Sequence, residues 1–519
     1  MSDAAAPAGD EVRAEAPTRR ASAIAVVLLA GTVIRLLFAA IIPLFPDEAY
    51  YWEWSRHLAP GYFDHPPVIA LLIRGGTAVF GSSAFGVRFL PVLAGLAAGA
   101  LTAGIAWRLA GDRAALVAAL VITALPLAAA GLVLATPDAP LLATTALTLY
   151  AAVRALESDS GSRRSLGWWC AAGCGLGLAF SSKYTSILLP VGATIAFVWR
   201  SSLRARLREP GPYVACLVAT LVFTPVLVWN ASHEWVSFGF QLRHGLAAPR
   251  PDLLAPFKRL GDLIGGQAGL VSPILFVMMV IATIRSLRRS VPDRIFMLGV
   301  IAAFTFLFFC VSATRQRVEA NWPAPAYIPS IALLSALDWS RRAAAWRQAG
   351  VWLGAGLSMV IYLHAGFGLL PLAPRRDPVA RAAGWSSLGT RAYDVWRRTE
   401  AATGRRVWLG ADRYQDAAEL AFYTRGHPRV FSLNLYGRRN QYDLWPLFPE
   451  QAATGDALVL ALDEREGTHD TIVRLRDFFA EARRDTLVLL RNRRGVVAQR
   501  RLWVLTGWTG GWPSADEGR

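Results

Sequence analysis

FPDEAYYWEWSRHLAPGYFDHPP, residues 45–67, is the stretch on which the reading of this chain turns. A long apolar run, Ala21 to Leu44, precedes it, and further apolar blocks follow. The run before it is longer than the apolar part of a secretory signal and reads as a retained membrane anchor. Arg35 interrupts that run, and a charge there should face protein or water rather than lipid. Within the stretch stand an acidic pair, Asp47-Glu48, then the aromatics Tyr50, Tyr51, Trp52 and Trp54, and finally Tyr62 and Asp64-His65 locked by two prolines. Acids and rings crowded at the end of a membrane span suggest a packed site.

Outward from this stretch, composition sets the class. Of 519 residues, 54% are hydrophobic and 18% charged, with mean hydropathy +0.35. Soluble domains carry about 25% charge. The apolar residues come in blocks, and about 20 of them cross a hydrocarbon core. After the first anchor, spans are expected near 86–109, 113–133, 138–156, 167–182, 185–199, 212–230, 268–285, 295–313, 324–338 and 348–371. The expected fold is therefore a polytopic α-helical membrane protein with about eleven spans.

The net charge of +17 and pI near 10.4 would suggest nucleic acid on a soluble protein. Here the arginines sit between apolar blocks, as in Arg200/Arg204/Arg206/Arg208 and Arg285/Arg288/Arg289/Arg294. That is orientation by the positive-inside rule, not nucleic-acid binding. It puts the N-terminus in the cytoplasm and collects the unusual polar motifs on the opposite, periplasmic side. Three parts follow: a disordered cytoplasmic tail over 1–20, a membrane part over 21–374 and a soluble α/β domain over 375–519. The last is read from β-rich runs beginning at Val407, Arg429, Ala457, Thr486 and Arg501. The four cysteines all lie in apolar blocks and read as small core residues.

Asp47 has the chemistry of a base near neutrality. It can take the proton of an acceptor hydroxyl attacking an electrophilic carbon. A phosphate ester leaving that carbon needs cations or hydrogen-bond donors. The periplasmic loops supply Lys183, Arg243, His244, Arg315 and Arg317, with Asn321 beside the last pair. Lys183 is one of only two lysines in the chain, which suggests a need for a point charge. Asp138 begins a span between two prolines, where the helix dipole alone would favour it. Asp412-Arg413-Tyr414-Gln415 and Gly437 to Asp443 are further polar and aromatic clusters suited to contacting an acceptor.

An acidic pair just past the first span followed by an Asp-His-Pro-Pro motif resembles the family of protein O-mannosyltransferases and lipid A aminoarabinose transferases. Ala135-Thr-Pro-Asp-Ala-Pro140, Ser182-Lys-Tyr-Thr185, Pro225-Val-Leu-Val-Trp-Asn230 and Glu319-Ala-Asn-Trp-Pro323 add to the likeness. Asp64-His65 departs from the aminoarabinose branch, which has Glu-Lys there. The resemblance implies a GT-C fold glycosyltransferase of the bacterial inner membrane using a polyprenyl-phosphate sugar. It implies catalytic Asp47, Glu48 and Asp64, with Asp47 the base of an inverting transfer. Substrate contacts would come from Tyr62, His65, Asp138, Lys183, Tyr184, Arg243, His244, Arg315, Arg317 and Asn321. No cofactor is required, although Asp64 with His233 is compatible with a divalent metal. The acceptor would be a lipid, glycan or protein. The rival reading is a transporter or flippase of lipid-linked sugars, which calls for ionisable residues deep in the spans and for internal repeats; the carboxylates here fall mostly in loops.

Overall fold

The structure is a computed structural model that describes residues 11–245, 254–435, 437–464 and 468–513. It divides into two compact units. One comprises Met1–Ala39, His65–Leu72 and Arg88–Tyr362, and the other Ala40–Asp64, Ile73–Val87 and Leu363–Arg519. The acidic segment thus groups with the C-terminal residues rather than with the helices on either side of it. Residues 1–10 of the expected tail lie outside the described residues, and the first helix runs Glu11–Ile41.

The first unit is helical. Among the described residues six helices are long and apolar enough to cross a membrane: Arg20–Ile41, Ala84–Ala124, Asp138–Glu157, Pro210–Ser232, Asp293–Arg315 and Arg341–Phe367. A bent pair, Ala255–Val271 and Pro273–Ser286, meets at 105° and makes a seventh if counted as one span. Several of the eleven expected spans are instead shorter or broken helices, including Tyr184–Trp199 and Ala324–Ala336. Two expected spans form one 41-residue helix, Ala84–Ala124, interrupted at Ala110 and Gly111. Gly111 takes φ +76, a left-handed turn open to glycine without a Cβ clash. The bend at Ser272 has a similar local cause: Pro273 starts the next helix and has no N–H to continue the previous one.

Between Arg163–Phe180 and Pro210–Ser232 the contact is made by small residues. A Cβ on Gly173 would meet the Ala215 carbonyl oxygen at 2.4 Å, and one on Gly177 would meet that of Ala219 at 2.7 Å. Lipid is as apolar as leucine, so helices in a bilayer associate through such close backbone approach.

The second unit carries one five-stranded sheet in the order β2-β1-β3-β5-β4. β1 is Val407–Ala411, β2 Val430–Ser432, β3 Ala457–Asp463, β4 Phe479–Asn492 and β5 Gly495–Trp508. β1 lies parallel to β2 and β3, whereas β5 runs antiparallel to β3 and β4. Central β1 and β3 are buried along almost their whole length, as expected for strands covered on both faces. Edge strand β4 exposes Glu481, Arg484 and Arg491, charges that discourage pairing with another chain. Trp385–Thr403 and Tyr414–Tyr423 are the unit's longer C-terminal helices. Arg500 on β5 binds Asp416 and Asp463 at 2.7 Å, tying the second of these helices to the sheet.

The glycine seam yields a paired test. Gly173→Ala should cost about 1–3 kcal/mol by overpacking and lower the melting temperature in detergent. Gly167→Ala on the same helix, where a Cβ meets nothing within 4 Å, should leave it unchanged or slightly raised.

Candidate functional site

The acidic pair lies on a helix, Pro46–Arg56, where the sequence suggested a loop. Pro46 at the first position supplies a fixed φ, and Asp47 and Glu48 sit in the first turn, where the helix dipole favours negative charge. Glu48 is buried and accepts the Phe45 N–H at 3.0 Å. It closes the start of the helix, and we read it as a positioning residue.

Asp64 is also buried, and both its oxygens are engaged. The Tyr50 hydroxyl donates to one at 2.7 Å, and the Arg438 guanidinium donates to the other at 2.7 Å. Arg438 also donates to the Tyr414 hydroxyl at 3.0 Å. Tyr50 accepts the Gln441 N–H at 2.6 Å, while the Gln441 side chain accepts the Phe63 N–H at 2.8 Å. Rings close the knot, with Tyr50 4.5 Å from Tyr414 and 5.0 Å from Trp54. Burial and the Asp64 charge hold the Tyr50 hydroxyl well above its usual pKa, so it is a donor throughout the working range. Tyr62 stacks on Trp54 at 4.5 Å and donates to the Trp54 carbonyl at 3.0 Å. Burial pushes its phenol up to about 12. Asp64 and Tyr62 are thus built into the frame of the unit.

Asp47 differs. It is partly exposed, and among the described residues its side chain makes no hydrogen bond or ion pair. Burial raises its pKa; Arg381 and Arg438 pull it down, while Asp64 and Glu48 push it up. The outcome is a carboxylate above the ordinary range with its lone pairs available, which suits a base.

Beside it, with Pro46 in its wall, opens a cavity of about 550 Å³. Arg375, Arg381, Arg413, Arg438 and Arg500 line it, together with Tyr414 and Asp416. Both polar clusters singled out in the C-terminal sequence, at 412–415 and 437–443, reach this cavity. Arg375 and Arg381 were not singled out; the one signal was the density of arginine just after the last apolar block.

The first unit gathers a different set. Lys183 donates to Asp138 at 2.7 Å, and Asn321 donates to the other Asp138 oxygen at 2.7 Å. Asp138 and Lys183 are both buried. Three segments far apart in sequence, each marked out beforehand, therefore meet here. Lys183 uses one of its three N–H donors on Asp138. Its neighbour Tyr184 meets the Ser237 hydroxyl at 3.0 Å and Asn230 at 3.4 Å. Asn230 is fully buried with an Oδ1 that has no hydrogen-bond partner among the described residues. His65 belongs to this unit as well and is half-buried.

The other expected cations are placed differently. Arg243 and Arg315 are exposed. Arg317 is exposed and pairs with Glu319 at 3.2 Å. The His244 side chain lies outside the described residues. His233 stacks on Trp229 at 4.2 Å with Nδ1 2.8 Å from the Trp229 carbonyl. His233 is in the first unit and Asp64 in the second, and a metal at Asp64 would have to displace Arg438 or Tyr50. Among the described residues no group of three or more His, Cys, Asp or Glu is arranged to hold a metal. The residues present do not fit a metal at Asp64, and no step is derived through one.

Comparison with known proteins agrees with the expected resemblance. Residues 64–229 match the family model of dolichyl-phosphate-mannose-protein mannosyltransferases. Over 309 residues the chain is 31% identical to the lipid A galacturonosyltransferase RgtD of Rhizobium johnstonii. That alignment covers 57% of this chain and 60% of the relative. In three dimensions the chain is similar to ArnT of Cupriavidus metallidurans. The apo crystal structure superposes with a TM-score of 0.61 at 17% identity, covering 93% of this chain and 97% of ArnT. The form bound to undecaprenyl phosphate gives 0.62 at 16% identity with the same coverage. The chain thus has the ArnT-like GT-C fold and resembles, in sequence, the glycosyltransferases of the mannosyltransferase and lipid A-modifying group.

Proposed function

We propose that this chain is an inner-membrane glycosyltransferase that takes a sugar from an undecaprenyl-phosphate donor on the periplasmic face. It passes that sugar, with inversion, to a hydroxyl of a lipid A-like acceptor. The relative's name and the ligand of the ArnT structure support the substrate class. The observation that carries the mechanism is Asp47: a carboxylate of raised pKa, without a hydrogen bond among the described residues, next to Pro46 in the wall of a cavity, on a helix otherwise locked by hydrogen bonds.

In the reaction the acceptor hydroxyl gives its proton to Asp47 as its oxygen bonds to the anomeric carbon. The bond from that carbon to the phosphate oxygen breaks, and undecaprenyl phosphate departs with the electron pair. Its phosphate needs a cation that is not already neutralised by a tight fork. Within the first unit, Lys183 is a candidate for a phosphate contact: it keeps two N–H donors, and Asp138 and Asn321 hold it in place. The fold reading includes the shorter apolar helices as membrane-inserted elements, with the N-terminus cytoplasmic and residues 375–519 periplasmic, as the arginine bias indicates.

Purified protein incubated with undecaprenyl-phosphate sugars and lipid A should release free undecaprenyl phosphate. Asp47→Asn should lower kcat by about a hundredfold or more with an unchanged melting temperature. Sugar-lipid flux retained in Asp47→Asn, without turnover in either protein, would instead favour a transporter. Asp47 must be ionised to act, so activity should fall as pH drops through its raised pKa. Arg381 lowers that pKa, hence Arg381→Ala should move the acid limb of kcat/KM to higher pH. An unmoved limb would remove Asp47 as the titrating base.

Lys183 can be tested apart from stability. Lys183→Met alone leaves Asp138 buried without its cation and should destabilise by about 3 kcal/mol. Asp138→Asn added to it should restore much of the stability. If Lys183 binds the donor phosphate, the double variant still shows a raised donor KM; a wild-type donor KM would make the lysine structural only.

A further inference from the structure

The arginine-lined cavity exceeds what the transfer chemistry at Asp47 requires. A base needs a carboxylate and room for a hydroxyl. This cavity, at about 550 Å³, is of the size that holds a small-molecule ligand. Its cations are not equivalent. Arg438 is bound by Asp64, and Arg500 is bound by Asp416 and Asp463. Those two are neutralised and fix the wall. Arg413 stands beside Asp412, whose pKa burial raises and the Arg413 charge lowers. Arg375 and Arg381 make no side-chain hydrogen bond or ion pair among the described residues, and both are exposed. Among the described residues Asp416 is the single carboxylate in the lining, and Arg500 occupies both its oxygens. The space is therefore electropositive on balance, with two guanidinium forks unspent.

Guanidinium forks match the paired oxygens of phosphate and carboxylate. The aromatic residues Tyr414 and Trp385 belong to the same wall, and aromatic side chains suit contact with a sugar. We infer that this cavity is a binding site for an oxyanion carried on a sugar, and that the sugar is the acceptor's. The assignment to the acceptor rests on the proposed role of Asp47. The base must touch the acceptor hydroxyl, and Pro46, its immediate neighbour, forms part of the cavity wall. Arg375 and Arg381, whose charge already acts on Asp47, grip the acceptor's phosphate or carboxylate and thereby present a neighbouring hydroxyl to Asp47. Specificity for anionic glycolipids then resides in the C-terminal unit.

Two measurements on the full-length protein in detergent test this. The first needs no turnover: glucosamine 1-phosphate, glucuronate and neutral glucosamine are titrated by calorimetry into wild type and Arg375→Ala/Arg381→Ala. The two anions should bind wild type at least tenfold more tightly than glucosamine, and the double variant should lose that preference. Equal binding of all three sugars, or an anion preference surviving in the variant, overturns the site. The second measurement compares lipid A with lipid A stripped of its phosphates. Arg375→Ala, which leaves the Arg381 beside Asp47 in place, should raise the KM for phosphorylated lipid A at least tenfold, with kcat within threefold and donor KM unchanged, and should leave the stripped acceptor's KM as in wild type. A rise in donor KM instead assigns the anion to the donor and overturns the acceptor reading; equal effects on both acceptors overturn oxyanion recognition. Should no turnover occur in wild type, the glycosyltransferase reading fails while the calorimetry still decides whether the cavity binds sugar oxyanions.

Discussion

The clamp on Asp64 is the interaction on which the second unit depends. Asp64 and Arg438 are 374 positions apart in the chain, yet they meet at 2.7 Å, the carboxylate buried and the guanidinium reaching it from a 45% exposed side chain. A carboxylate at that depth is costly unless both oxygens find donors. Tyr50 and Arg438 supply them, and each is held in turn by Gln441 or Tyr414. The result fixes the helix Pro46–Arg56 against the 434–443 segment, so that Asp47 projects from a rigid support. Pre-organisation of this kind lets a base hold its geometry without rearrangement during the reaction.

The two carboxylates show how environment separates roles. Asp64 spends its oxygens on structure. Asp47, seventeen positions earlier and in the same unit, keeps its own available and is shifted toward neutrality by burial. Similar side chains within one stretch are thus set in different surroundings, one as an anchor and the other as the base of the proposed mechanism. A comparable division holds among the cations: Arg438 and Arg500 are committed to carboxylates, whereas Arg375 and Arg381 are not.

What the sequence disclosed follows the range of the forces involved. Apolar blocks and their arginine borders are local patterns, and they announced a multi-pass helical protein. β1 and β3 were legible because strands buried on both faces are continuous apolar runs. The crowded rings of Tyr50 and Trp54 signalled packing, although the segment coils as a helix that Pro46 and its acids begin. Lys183 stood out by rarity, and its pairing with Asp138 and Asn321 joins three stretches already marked. Arg243, Arg315 and Arg317 looked equally suitable as phosphate ligands, because an arginine beside an aromatic reads alike on an exposed surface and in a site. Arg375 and Arg381 were beyond reach for a different reason: their value comes from a cavity assembled across more than 300 positions of chain, and no local pattern encodes it.

The span count shows the same boundary. Hydropathy cannot distinguish a full crossing from a helix that bends, as at Ser272, or stops short, as at Tyr184–Trp199. In lipid, broken helices persist where protein satisfies the freed backbone groups. Such breaks are set by tertiary packing that hydropathy does not see.

With Asp47 as base, the proposed transfer is a single displacement at the anomeric carbon. Its most direct test is the configuration of the product. A donor of known anomeric configuration should be turned over by the purified protein and the glycosylated acceptor read by NMR. The account expects the opposite configuration at the transferred anomeric carbon. Retention of configuration would contradict it.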